Sequence, residues 1–257
     1  MPVCLEPAPA RLDVLLVPPG SSPFPRDSWE TASIISFENR MLDPTDKFPC
    51  IFGVDAVARK TLRYGFVRSG NHADQLADIL RSFTNVCEEL GKRTSLVVFF
   101  ESWEADERSH ESYYREFWNL LRATSERDTR PWPAEHAVDT EDARFEFCFN
   151  GTPMFVVVNT ELHTDRRSRS FERVAITFQP RFVFDDIQPN TKTGDNARKI
   201  IRDRIGEYDR APLTKMLGDY GDPSNNEWRQ YYLDDGSDTI ALGRCPVSFN
   251  SEGSDLS

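Results

Sequence analysis

The chain has 257 residues, 39% of them hydrophobic and 28% charged, with 18 Phe and a formal net charge of −11. That composition belongs to a folded, water-soluble protein, and the length suffices for a substantial core without staples. The acidic excess argues against nucleic-acid binding, which needs a basic footprint, and it tolerates cationic small molecules without singling them out.

Cys4, Cys50, Cys87, Cys148 and Cys245 are scattered and form no CxxC pair, so neither a zinc knuckle nor a thioredoxin-like motif can be read. Free thiols in a reducing compartment are expected. Leu12 to Pro19 is a short apolar run without a basic region ahead of it, unlike a signal peptide. No stretch approaches the roughly 20 apolar residues that cross a bilayer. These features predict a cytoplasmic protein with no membrane association.

Residues 1–45 carry prolines at 2, 7, 9, 18, 19, 23, 25 and 44, which predicts a wrapping arm with room for one short helix between Ser28 and Arg40. From about residue 46 to 249 a single domain is expected, followed by a polar tail over 250–257 that reads as disordered. Thr61–Val67 reads as a strand. A helix follows, capped by Asn71, with Leu76, Ile79, Leu80, Phe83 and Leu90 on one stripe and Gly91 as its left-handed stop. Ser95–Phe100 is a continuous apolar run, as in a strand buried on both faces. A second helix starts near Ser109, with Tyr113, Tyr114, Phe117, Leu120 and Leu121 on one side; Pro131 and Pro133 break the pattern. Phe145–Phe149 and Pro153–Asn159 flank the hairpin signal Asn150-Gly151. Arg173–Phe178 reads as another strand, with Arg181–Phe184 as its continuation, and Asn196–Tyr208 as an amphipathic helix. Loops follow, including Tyr220-Gly221-Asp222-Pro223. The order predicts one α+β domain with a mixed, largely antiparallel sheet packed by helices, a loop-rich N-terminal arm and a C-terminal tail.

Few residues offer chemistry. His72 and His136 sit in polar contexts and read as solvated; His110 starts a helix. His163 lies just past a strand end, where site residues often stand, although a lone histidine is more often structural. Arg166, Arg167 and Arg169 form the densest basic run, read either as a solvated loop or as a carboxylate-capturing cluster. Cys50, in Phe48-Pro49-Cys50-Ile51-Phe52-Gly53, is either a packed thiol or a thiolate ligand in an aromatic pocket. Cys245-Pro246 is a weaker dipeptide of the same kind. Glu101 closes the buried strand and is either one half of a surface ion pair or the holder of a cationic substrate head. Trp103, Trp118, Trp132 and Trp228 read as core or as walls of a flat pocket. Motifs for phosphate cradles, dinucleotides, zinc proteases and α/β-hydrolases are absent from the sequence.

FPCIFG, LVVFFE, the PWP break, FEFCFNGTPMFVVVNTELHTDRRSR, ITFQPRFVF, YGDP and EWRQYYL, in that order from about Phe48 to Cys245, together resemble the YqcI/YcgG family. The resemblance implies haem b (iron) and N-hydroxylation of a guanidino or amino group on a small cationic substrate such as arginine, as in the pathways to D-cycloserine and guanitoxin. It implies His163 as axial ligand, with Cys50 as its rival, and Arg166, Arg167 and Arg169 as partners of propionates or of a substrate carboxylate. Glu101 and Cys50 are the catalytic candidates. An external reductase or hydrogen peroxide would complete the chemistry, and a homodimer is compatible with it. The rival readings are a haem-binding sensor or carrier without turnover, a cofactor-free binding protein and non-haem iron oxidation.

Overall fold

The computed structural model describes residues 15–188, 191–218, 225–236 and 244–249. Cys4, the YGDP turn and the tail from Asn250 lie outside the described residues.

The strands are β1 (Arg63–Val67), β2 (Leu96–Phe100), β3 (Phe147–Phe149), β4 (Thr152–Asn159) and β5 (Ala175–Pro180), in the sheet order β1-β2-β5-β4-β3. Only β1 and β2 run parallel; every other pairing is antiparallel. The parallel pair follows from the crossover helix α3 (His72–Thr84) between those two strands. At the β3–β4 hairpin, Asn150 and Gly151 have φ of 53° and 74°, the double left-handed turn that an Asn-Gly pair accommodates. The expected α+β fold with a mixed, largely antiparallel sheet is therefore the observed one.

Both faces of the sheet are covered. On one face Leu76, Ile79, Leu80 and Phe83 of α3, with Phe117, Trp118 and Leu121 of α4 (His110–Ser125), pack against Leu96, Val98, Phe100, Val156, Ile176 and Phe178. On the other, Ile34, Phe37 and Met41 of α1 (Trp29–Met41) and Ala56 and Val57 of α2 (Ile51–Ala58) join Tyr64, Val97, Phe99 and Ala175. All five residues of β2 are buried, as its continuous apolar run demands. At Gly65 a side chain is excluded by packing, because a Cβ there would stand 2.7 Å from Ile79 Cγ2.

Several boundaries differ from expectation. The proline-rich arm carries a full 13-residue helix, because no proline falls between Arg26 and Asp43 and Ser28 Oγ caps the first turn by accepting from Thr31 N at 3.2 Å. Val17 bridges to Tyr64, so the described part of the arm packs against the body. Helix α2 was not expected at all. Asn71 precedes α3 with φ of 49° and makes no side-chain capping bond. That helix stops at Thr84, well before Gly91; the chain then tightens through Val86 N to Phe83 O at 3.0 Å and Glu89 N to Val86 O at 3.0 Å. Arg181–Phe184 is a 3₁₀ turn and not an extension of β5. Helix α5 (Lys192–Tyr208) begins four residues before Asn196, capped by Thr191.

Candidate functional site: a cavity between the sheet and a helix

Beside α1 and α2, on the same face, the sheet is not closed by direct packing. A cavity of about 320 Å³ lies there. Val97, Phe155, Val157, Asn159, Ala175, Thr177 and Gln179 form its floor, and α5 roofs it with Ala197, Ile201 and Ile205. The alternation of β4 and β5 selects these residues: odd positions face the cavity, while Val156, Val158, Ile176 and Phe178 face the opposite core.

At one end stands Cys50. It is the N-cap of α2, and its Sγ accepts from Gly53 N at 3.4 Å. A side chain at position 53 would meet Met41 at 2.9 Å and Cys50 Sγ at 3.5 Å, so glycine lets the helix start close under the thiol. Burial pushes the Cys50 thiol up, while the backbone N–H groups of Gly53 and Phe52 and the charge of Arg169 pull it back. Arg169 lines the same end. It is 9% exposed, makes one long contact of 3.5 Å to the Tyr231 carbonyl, and has no ion pair among the described residues. Burial, then the neighbouring Arg166, bring it down to about 10. An almost unpartnered buried guanidinium is costly unless an anion meets it.

The opposite end is polar and carries Arg181, Arg198 and Arg202. Arg181 is held in the cavity wall by Glu146, with Nε 2.8 Å from both carboxylate oxygens, and by Glu227. Glu146 is fully buried, and burial raises it to about 7 against the pull of Arg181. Gln179 and Gln230 complete this end.

Of the residues singled out in the sequence, the structure brings together only Cys50 and Arg169. His163 is 2% exposed and lies outside the cavity among His110 and Tyr232. Its Nε2 donates to the Leu233 carbonyl at 2.6 Å, which leaves Nδ1 to accept from Thr160 Oγ1 at 2.8 Å. Burial lowers it to about 4, so it is neutral. A metal ligand there would have to displace one of those bonds. Arg166 is buried, with its Nε donating to the Asp234 carbonyl at 2.6 Å. Arg167 pairs with Asp46 and lies 4.3 Å over the Tyr208 ring. The basic run is thus mostly interior, not a solvated loop. Glu101 is exposed and accepts from Ser69 N at 3.0 Å, so it fastens the loop after β1 and does not reach the cavity. Trp118 and Trp228 are core, Trp132 stacks on Phe145, and no Trp lines the cavity. His72 stacks on Trp103, and His136 is packed 3.8 Å from Glu146; neither is solvated as expected. Gln179, Arg181 and Glu227 gave no signal in the sequence beyond lying in a recognisable block.

Among the described residues no group of three or more His, Cys, Asp or Glu converges as a metal site, no helix is long and apolar enough to cross a membrane, and Cys50, Cys87, Cys148 and Cys245 are free.

The fold and cavity define a single-domain α+β protein with a mostly apolar chamber that has a thiol and a buried arginine at one end. Residues 37–248 match the YqcI/YcgG family, and the chain belongs to that family. It is 38% identical over 226 residues to the uncharacterised protein YcgG of Bacillus subtilis (strain 168), covering 86% of this chain and 88% of that one. YqcI of the same organism is 38% identical over 223 residues, covering 85% and 87%. DcsA of Streptomyces lavendulae, provisionally named an N(omega)-hydroxy-L-arginine synthase, is 30% identical over 214 residues and 80% of each chain. No solved structure matches the chain.

Proposed function

We propose that this chain is an N-hydroxylase of a guanidino or amino nitrogen, arginine being the leading substrate, and that it works with haem b held by Cys50. The observation that carries the reading is the Cys50 thiol, set at the N-terminus of α2 and opening into an apolar cavity beside a buried arginine. The 30% identity to DcsA supplies the reaction class.

The donor set suits the cofactor. The walls offer the aromatic rings of Phe37, Phe48, Phe52, Phe155 and Phe184 to a flat apolar group. Arg169 offers an uncommitted guanidinium to a propionate. Haem, when bound, supplies the oxidising chemistry. The protein supplies the rest. The Gly53 N–H and the positive end of α2 stabilise charge on Cys50 sulfur. Ile201 and Ile205 of α5 keep water off the reacting nitrogen. Dioxygen with an external reductase, or hydrogen peroxide, balances the insertion of oxygen into the N–H bond. His163 has both ring nitrogens hydrogen-bonded elsewhere, which favours Cys50 as the ligand.

The test is an absorption spectrum of protein from haem-replete cells, ferric and then ferrous with carbon monoxide, with mass analysis of arginine after turnover. A thiolate-type ferrous–CO band that disappears in Cys50→Ala, together with N-hydroxylated product, is expected. A histidine-type band unchanged in Cys50→Ala would return the assignment to a histidine. No Soret band after haem titration would sink the haem reading.

A further inference from the structure

We propose a second activity for the chain: a peroxidase reaction in which donors that cannot enter the haem-filled chamber are oxidised near His110, through a line of buried aromatic side chains. It rests on the haem reading above. The line starts on the chamber floor. Phe155 lines the cavity, and its ring centroid is 5.5 Å from that of Tyr231. Tyr231 stacks on Trp118 at 5.9 Å, with 18° between the planes. Trp118 meets Tyr114 at 6.2 Å, and Tyr114 meets Tyr232 at 5.8 Å. Each step is a ring contact. Tyr231 stands beside β4, where its carbonyl accepts from Val158 N at 3.0 Å, so the line passes from the chamber to the core on the α4 side of the sheet.

Packing alone does not account for these residue types. Trp118 Nε1 and Tyr114 Oη are buried, and neither makes a hydrogen bond of normal geometry. Each such group costs about 1–3 kcal/mol, which Phe at either place would avoid. An unsatisfied buried polar group in a native fold needs another reason, and redox chemistry is one. Indole and phenol both give up an electron far more readily than a Phe ring. The last member has the companion that phenol oxidation needs. Tyr232 Oη stands 3.0 Å from Nδ1 of the half-buried His110. Burial lowers that histidine, so the ring is neutral and Nδ1 can take the phenolic proton as the electron leaves.

Hydrogen peroxide at the haem is the oxidant, and the balance closes. One peroxide takes up two electrons and two protons and leaves as two waters. Each electron leaves Tyr232 for the chamber while its proton moves to His110. An external one-electron donor then reduces Tyr232, which recovers the proton from His110. Two donors are oxidised per peroxide, and the two protons they release match the two consumed.

The experiment mixes the haem-loaded full chain with hydrogen peroxide, without arginine, and freeze-quenches it for electron paramagnetic resonance. The oxidation rate of ABTS, a sulfonated dye too bulky to share the chamber with haem, is measured alongside. A tyrosyl radical signal is expected, lost in Tyr232→Phe and in Trp118→Phe, with ABTS oxidation lost in both. His110→Gln keeps a hydrogen-bonding side chain but removes the base, and should slow ABTS oxidation about tenfold or more. The Soret band and arginine N-hydroxylation should persist in all three. If Trp118→Phe fails to fold, the other two variants decide, since they leave the core volume in place. No radical in the unchanged chain, or a signal and dye rate indifferent to Tyr232→Phe and His110→Gln, would overturn the relay and leave the haem enzyme standing. A relay that responds to these variants in a chain making no N-hydroxylated arginine would remove the hydroxylase and keep the peroxidase. A chain that takes up no haem overturns both.

Discussion

His163 and Cys50 look equally plausible as ligands in sequence, and their surroundings separate them. Replacing His163 by Ala removes a donor from the Leu233 carbonyl and an acceptor from Thr160, both buried, and should cost about 1–3 kcal/mol in urea unfolding while haem binding persists. The same histidine shapes acid stability. Its folded pKa of about 4 lies below its ordinary value near 6.5, because burial disfavours the charged ring. The unfolded chain therefore takes up the proton first. This contribution is fully present above pH 6.5 and is lost as pH falls towards 4. It is on the order of 3 kcal/mol at about 1.4 kcal/mol per pKa step. Glu146 slopes the other way, since burial raises it and stability then declines as pH rises towards about 7. Comparison with His163→Gln isolates the histidine: the variant should unfold with a flatter acid limb between pH 6.5 and 4, and an unchanged limb would show that the ring does not titrate in unfolding.

At the scale of elements, β1 packs closely on α3 at Gly65, under the branched side chain of Ile79. Gly65→Ala would drive a methyl into Ile79 Cγ2 and should destabilise the fold by about 1–3 kcal/mol. Adding Ile79→Ala removes the clashing carbon, so the double variant should be less destabilised than the sum of the singles; strict additivity would show that the clash relaxes elsewhere. The elements themselves were legible where one period dominates. The buried run of β2, the Asn-Gly hairpin and the stripes of α3 and α4 all announce themselves. Helix α2 did not, because IFGVDAVA is apolar on nearly every side and shows no face. The end of α3 was missed because Leu90 extends its stripe past Thr84, where Thr84 Oγ1 turns back onto the Leu80 carbonyl at 2.8 Å and accepts from Asn150.

For the whole molecule, the sequence carried the family and fold but only part of the cavity. Cys50 and Arg169 stood out by type and neighbourhood. Gln179 did not, since a polar residue in a strand ordinarily marks the solvent side, and here that side is a chamber under α5; Glu227 sits in a short 3₁₀ turn with no periodicity to show which way it faces. The chamber predicts a global response to its occupant. A saturating ligand at a hundred times its dissociation constant should raise stability by about 2.7 kcal/mol, read as an upward shift of the melting temperature. No shift with either haem or arginine would mean that neither enters.

Helix α5 turns Ile201 and Ile205 towards that chamber, and its only residues buried by protein are Gly194, Ala197 and Tyr208. The apolar stripe that would normally be closed by the chain's own core is closed by whatever lies beneath it. On the proposed reading, a molecule bound there would be a missing piece of the interior as much as a substrate or cofactor. A chain lacking it would then open more often and be more exposed to proteases than one that holds it.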